Sequence, residues 1–370
     1  MSNSEISLTK GKQMINSLTG IKVIALLLLF IHHSSMPKLP FELGSRMCEL
    51  LFVISGFLVG YNKYNKNESC SYKYSFDYVI SKLIVFYPLH VIVTFLRGLI
   101  EFKTFTTVSA IIKFFLSLFL LSAWSPYEEV YFAYNGSSWF LSSLLFCYFL
   151  TPIFLRLIKV KKSYILFVIV LLVRLFLDVI TDYSSINYFA LDTHVNPVIR
   201  SLEFFWGMLL VPTFLKVRSF INNNCSKNKV RIIFTFCEIT VLLLAFFSMY
   251  FLRNVMPKTF FIFLFSLFTF VFSFDYGLLS YLLGGVQPFK LFNKIQFEFY
   301  LSHTTFLRYC KSFVKFLLGD ISNIVISSLI LLSEFFVLTF ICFIYCKYIK
   351  SIFSLLMKKL VTTIEKVVLD

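Results

Sequence analysis

The sequence predicts an all-α, polytopic integral membrane helix bundle, and three observations carry that expectation. Of 370 residues, 58% are hydrophobic and 15% charged, where soluble domains run to about 25% charged. A mean hydropathy of +0.81, with 49 Phe, 20 Tyr and 3 Trp, leaves too little polar surface to coat a water-soluble body. The apolar residues fall in repeated runs of about 15 to 26, which suit membrane helices and not the roughly ten-residue alternating strands of a barrel. A soluble enzyme, a disordered chain and a secreted disulfide scaffold are thereby excluded.

The first run, 18–36, follows Lys10 and Lys12 and lacks a small-x-small cleavage site, so it is expected to stay in the membrane as a helix. Runs at 47–62, 83–100, 105–124, 137–158, 163–181, 197–215, 232–252, 258–274, 295–316 and 321–346 bring the apolar segments to eleven. Cytoplasmic loops collect Lys and Arg, so basic clusters decide direction. They lie at Lys10, Lys12 and Lys22, at Lys63, Lys66, Lys73 and Lys82, at Lys159, Lys161 and Lys162, from Lys216 to Arg231, and from Lys347 to Lys359. About ten transmembrane helices place every cluster inside, both termini cytoplasmic, provided 105–124 is a re-entrant or interfacial segment. The expected organisation is a cytoplasmic tail over 1–17, one transmembrane domain over 18–348 and a basic cytoplasmic tail over 349–370, with no soluble domain appended. The net charge of +16 then reports orientation, and nucleic acid is not an expected partner. The eight cysteines contain no C-x-x-C pair and read as small buried hydrophobes, and no metal site is expected.

A charge inside a bilayer costs at least about 2.5 to 3.5 kcal/mol, so each polar residue within a run needs a partner, an aqueous cavity or a task. In the first helix Lys22 and His33 are eleven residues apart, which puts them on one face roughly 16 Å apart, with His32 turned about 100° away. Snorkelling of Lys22 and hydration of both histidines is the plain alternative. The second run carries Ser55-Gly56, a close-packing pair. Lys82 precedes Tyr87-Pro88, and Asn135-Gly-Ser-Ser-Trp139 supplies turn residues and an interfacial tryptophan. Arg200 and Glu203 share a helix face and can neutralise each other. The run from 295 holds Glu298, Tyr300, His303 and Arg308, too polar to face lipid. Arg174 with Asp178, and Glu238 and Glu334, read as structural pairs or interface residues.

Together these fragments resemble the bacterial membrane-bound acyltransferase family 3, over most of the chain. That family's first helix has Arg or Lys, ten residues, then His after a segment like L-D-G-L-R-G; here Leu18-Thr19-Gly20-Ile21-Lys22 is followed by His33, which selects His33 over His32. The family's V-I-S-G-F-L stands at Val53 to Leu58. Its N-G-P-L-W-F-L resembles Asn135 to Leu141, its R-x-x-E-F-x-x-G-M resembles Arg200 to Met208, and its G-K-I-S-F-x-I-Y-L-x-H resembles Asn293 to His303. The family's R-x-x-R before Tyr-Pro is represented by Lys82 and Val85, one cation fewer, and Thr19 replaces an Asp. The resemblance implies a cell (inner) membrane O-acyltransferase that moves an acyl group, most simply acetyl, from cytoplasmic acyl-CoA to a hydroxyl of a cell-surface polysaccharide or glycolipid. It implies no permanently bound cofactor, with acetyl-CoA as co-substrate. His33 is implied as general base or acyl acceptor and Glu203 as its catalytic companion. Lys22, Lys82 and Arg200 are implied as donor-binding residues, and Ser55, Tyr87, Asn135, Trp139 and His303 as substrate-binding residues. A transporter or flippase of glycan intermediates is the alternative; 12 Gly, 9 Pro and no visible repeat count against its broken helices.

Overall fold

The structure is a computed structural model that describes residues 15–34, 36, 41–65, 72–100, 107–183, 194–319, 321 and 323–369. Its helices are α1 (Asn16–His33), α2 (Leu43–Lys63), α3 (Tyr72–Ile100), α4 (Val108–Leu118), α5 (Glu128–Tyr131), α6 (Ser138–Ile158), α7 (Ser163–Tyr183), α8 (Pro197–Asn224), α9 (Lys227–Phe251), α10 (Lys258–Phe272), α11 (Leu278–Gly285), α12 (Gln287–Phe292), α13 (Gln296–Leu318), α14 (Ile324–Ile344) and α15 (Lys350–Leu369). A π-helical turn, Tyr345–Ile349, joins the last two. Among the described residues there is no strand.

Eight helical stretches are long and apolar enough to cross a membrane: α1, α2, α3, α6, α7, α8, α9 and α14 running on into α15. Two more of the expected crossings fall outside that measure for different reasons. α10 has 15 residues, about 22 Å of rise, and α13 has 23 residues but carries Glu298, His303, Arg308, Lys311 and Lys315. The segment 105–124 becomes α4, 11 residues long and about 16 Å in rise, followed by a 3-10 turn at Ser122–Trp124. That is half of a hydrocarbon core. Residues 105 and 106 of that segment lie outside the described residues. The basic tail at 349–370 is helical over Lys350–Leu369.

The core is built around α2 and α8, which run side by side in one direction. Gly56 faces the Phe204 backbone, Gly60 faces Met208 and Val211, and Gly207 faces the Val53 carbonyl. Missing side chains let these backbones touch, so dispersion and weak polar contacts replace the hydrophobic drive that lipid does not supply. Phe52, Phe57, Phe204, Trp206 and Phe214 fill the surrounding space, all fully buried. The outward faces of α7, α9 and α14 carry exposed Leu, Ile, Val and Phe, which suits contact with lipid.

Three buried or half-buried carboxylates cap helices other than their own. Asp275 accepts from Asn16 N and Ser17 N at 3.0 Å each, at the start of α1. Asp178 on α7 accepts from Thr259 N and Oγ1, both at 2.7 Å, at the start of α10. Glu238 on α9 accepts from Gly277 N at 3.1 Å and Leu279 N at 2.9 Å, at the start of α11. The first backbone N–H groups of a helix have no partner within it, and in a membrane they have no water either. These carboxylates supply the acceptors and favour the positive end of each helix dipole.

Candidate active site

α1 ends on His33 and runs alongside α13 in the same direction, with Phe30 against Phe299 at 5.3 Å between ring centroids and His33 against His303 at 5.2 Å. His33 is exposed and His303 buried. His32 lies 5.0 Å from the His33 ring and against Gly44 at the start of α2. His303 Nδ1 is 2.5 Å from the Tyr300 carbonyl. A carbonyl only accepts, so Nδ1 carries the proton and Nε2 of the neutral ring carries the lone pair. Nε2 is buried with no hydrogen-bond partner among the described residues.

Arg200, one turn into α8, makes two sets of contacts. Nη1 donates to Glu203 at 2.5 Å. Nε donates to the His194 carbonyl at 2.6 Å, and Nη2 reaches His194 Nδ1 at 3.2 Å. Because guanidinium only donates, that Nδ1 accepts, and the His194 proton resides on Nε2. The His194 ring packs against Trp139 at 4.8 Å and Phe132 at 6.4 Å. Burial, reinforced by the charges of Arg200, Lys258, His32 and His33, pushes its pKa well below the ordinary imidazole value. His194 is thus a further histidine within electrostatic reach of His32 and His33, held neutral in the opposite tautomer to His303.

Behind Arg200 lies a buried charge network. Arg174 pairs with Asp178, and its Nη2 lies 3.9 Å from Glu203 Oε1. Arg46 reaches the two Glu49 oxygens at 3.2 and 3.1 Å and stacks over Phe261 at 3.8 Å. Arg46, Arg174 and Arg200 are balanced by Glu49, Asp178 and Glu203, all six buried, so none of the charges is left uncompensated in the low-dielectric interior.

Other sequence-predicted residues join the site to different degrees. Asn135 is fully buried and links α3 to α13: its Nδ2 is 3.5 Å from His90 Nδ1, and its Oδ1 accepts from Ser137 Oγ at 2.9 Å. Ser137 Oγ also lies 3.2 Å from the Leu301 carbonyl, which shares its one proton. Trp139 is buried beside Arg200, at 5.6 Å. Tyr87 stands farther out, donating to the Leu118 carbonyl at 3.2 Å. Ser55 is half-buried on α2, makes no hydrogen bond among the described residues, and is not drawn to the histidines. Lys22 is half-buried, three turns from His33 along α1.

Lys82 belongs to the opposite end of the bundle. Its Nζ lies 5.1 Å from the Tyr78 ring and 5.5 Å from Tyr148. Lys63, the last residue of α2, sits over the same Tyr78 ring at 4.2 Å and meets the Tyr74 hydroxyl. Gly44 and Lys63 are separated by about 28 Å of helix, close to the thickness of a hydrocarbon core. Sequence reasoning did not name His194, and it read Lys63 only as part of a basic cluster that reports orientation. The signals were present: Asn196-Pro197 marks a helix start, which places His194 and Arg200 on either side of it, whereas the Lys63–Lys82 meeting depends on tertiary packing. Among the described residues no group of three or more His, Cys, Asp or Glu is arranged to hold a metal.

Fold and site define an all-α, multi-pass membrane protein with an imidazole cluster at one end of its bundle. The chain belongs to acyltransferase family 3: the family model described as an acyltransferase domain matches residues 15–348, from the start of α1 into the π turn. It is thus a membrane acyltransferase. No curated protein and no solved structure matches it.

Proposed function

We propose that this membrane acyltransferase moves an acetyl or related acyl group from cytoplasmic acyl-CoA to a hydroxyl of a cell-surface polysaccharide or glycolipid. It resides in the bacterial cell membrane with both termini cytoplasmic. The observation that carries the reading is the pairing of two unlike ends: His33 within 5.2 Å of His303 at one, and Lys63 and Lys82 converging on Tyr78 at the other. Phosphates of CoA need cations, and tyrosine faces suit both those cations and an adenine ring. Lys63 supplies in space the second cation that Val85 removes from the family's R-x-x-R, and Lys22 stands between the two ends. Acyl transfer needs a base or nucleophile near neutrality, which imidazole provides. His33 fills that role as general base or acyl carrier.

Arg200 contributes differently from a phosphate ligand. Its donors are engaged by Glu203 and His194, so it positions the His194 ring, while Glu203 balances Arg200 and Arg174. Asn135, Trp139, Tyr87 and Ser55 line the path of donor or acceptor, and acyl-CoA acts as co-substrate. The test is thiol release from acetyl-CoA by detergent-purified protein with a mixed glycan acceptor, wild type beside His33→Ala. Loss of a general base costs about 10² to 10⁴ in rate, and His33 is exposed at a helix end, so the variant should fold normally and lose transfer to that extent. Equal rates would remove His33 from the chemistry. A folded wild type that neither binds acetyl-CoA nor releases thiol would remove acyl-CoA as donor.

A further inference from the structure

We propose that His303 is a second catalytic imidazole: with His33 carrying the acyl group, His303 Nε2 takes the proton from the acceptor hydroxyl. This rests on the acyl-CoA reading above and divides between two residues the roles left open there for His33.

The geometry distinguishes the two rings. His33 is exposed at the end of α1. His303 is 1% exposed, held by the Tyr300 carbonyl through Nδ1, with the Tyr300 ring at 5.6 Å and the His33 ring at 5.2 Å. Its Nε2 is a buried polar atom without a hydrogen-bond partner among the described residues. Burial of an unpaired acceptor opposes folding, so an apolar side chain would serve packing better. A lone pair kept at that cost, next to the exposed imidazole, is suited to receive a proton during the reaction. On the other side of His33, His32 lies against the α2 backbone at Gly44.

In the first step the unprotonated His33 nitrogen bonds to the thioester carbon and the carbon–sulfur bond breaks. The sulfur leaves with the proton from the other His33 nitrogen, giving free CoA thiol and a neutral acyl-imidazole. In the second step the acceptor oxygen bonds to the acyl carbon and the carbon–nitrogen bond breaks. The hydroxyl proton passes to His303 Nε2 and from there to His33, restoring both neutral rings. An acylated His33 has no nitrogen left to act as a strong base, so the second step needs a base other than His33.

His303→Asn is the decisive variant. Its amide N–H can still donate to the Tyr300 carbonyl, as Nδ1 does, but it has no basic lone pair in place of Nε2. Purified wild type, His303→Asn, His303→Gln and His33→Ala would each be mixed with radiolabelled acetyl-CoA, and label retained on the protein would be followed before and after adding glycerol as a hydroxyl acceptor or hydroxylamine as a self-sufficient nucleophile. The expected result is label on wild type and on both His303 variants to similar extents, and none on His33→Ala. Discharge to glycerol should be slower by about 10² to 10⁴ in both His303 variants, with discharge by hydroxylamine unchanged. Wild-type discharge to glycerol by His303→Asn would overturn the proposal while leaving the acyl-CoA reading intact, as would thiol release by wild type with no label on His33. Absence of both thiol release and label in folded wild type would overturn the two together.

Discussion

Arg200 and His194 form a unit that the linear sequence conceals. Six residues apart, they meet because Asn196 and Pro197 start α8 between them, with the Asn196 side chain accepting from Val198 N at 2.9 Å. The ring of His194 lies between Trp139 and the guanidinium of Arg200, and that setting has a consequence for pH. Its folded-state pKa is depressed by burial first and by Arg200 next, while in the unfolded chain it titrates near the ordinary value of about 6.5. Below that pH the unfolded chain binds the proton and the folded one does not, so this contribution to stability is full above about pH 6.5 and falls as pH drops. Thermal unfolding in detergent should therefore show an acid limb beginning near pH 6.5, and His194→Gln should flatten it. An identical limb in the variant would assign the loss to other groups. Local spacing and motif resemblance name Lys22, His33, Arg200, Glu203 and His303 as candidates. His194 and Lys63 escape both because their significance lies in partners from other helices.

At the scale of elements, the contact between α2 and α8 was partly legible, since Gly56-Phe-Leu-Val-Gly60 carries the small-residue spacing of membrane helix interfaces. What the spacing does not name is the partner, and the structure supplies it in Gly207 and the Phe204 backbone. A methyl group at Gly56 would land on the Phe204 carbonyl, and neither backbone can move without shifting the adjacent Glu203 and Arg200 one turn away. Gly56→Ala should cost about 1 to 3 kcal/mol or more, as overpacking does, and lower both the unfolding temperature and the yield of monodisperse protein. Gly285→Ala is the control, because a methyl group there meets nothing within 4 Å. Equal unfolding temperatures for the two variants would contradict the close approach. The short helices α11 and α12 were not foreseen: Gly284, Gly285 and Pro288 interrupt their run, and helices of 8 and 6 residues carry too little periodicity to register.

For the whole molecule, the proposed roles of the two ends imply a direction of transfer. Lys63 and Lys82 cluster with Tyr74, Tyr78 and Tyr148 about 28 Å along α2 from the histidine end, while the buried charges near the histidine end are closed into pairs, with Arg46, Arg174 and Arg200 answered by Glu49, Asp178 and Glu203. A CoA molecule carries phosphates that do not cross a bilayer, so it can be used only from the side where its cations lie. If the basic clusters face the cytoplasm, acetyl-CoA added outside sealed inside-out vesicles should support thiol release, and the same addition to right-side-out vesicles should not until detergent opens them. Lys63→Ala combined with Lys82→Ala should raise the KM for acetyl-CoA about tenfold, a loss of roughly 1.4 kcal/mol of binding, with kcat little changed because those lysines bind ground and transition states alike. Activity in right-side-out vesicles alone would invert the topology. A fall in kcat with unchanged KM would move the lysines from donor binding to the chemistry itself, and the two ends of the bundle would have to exchange roles.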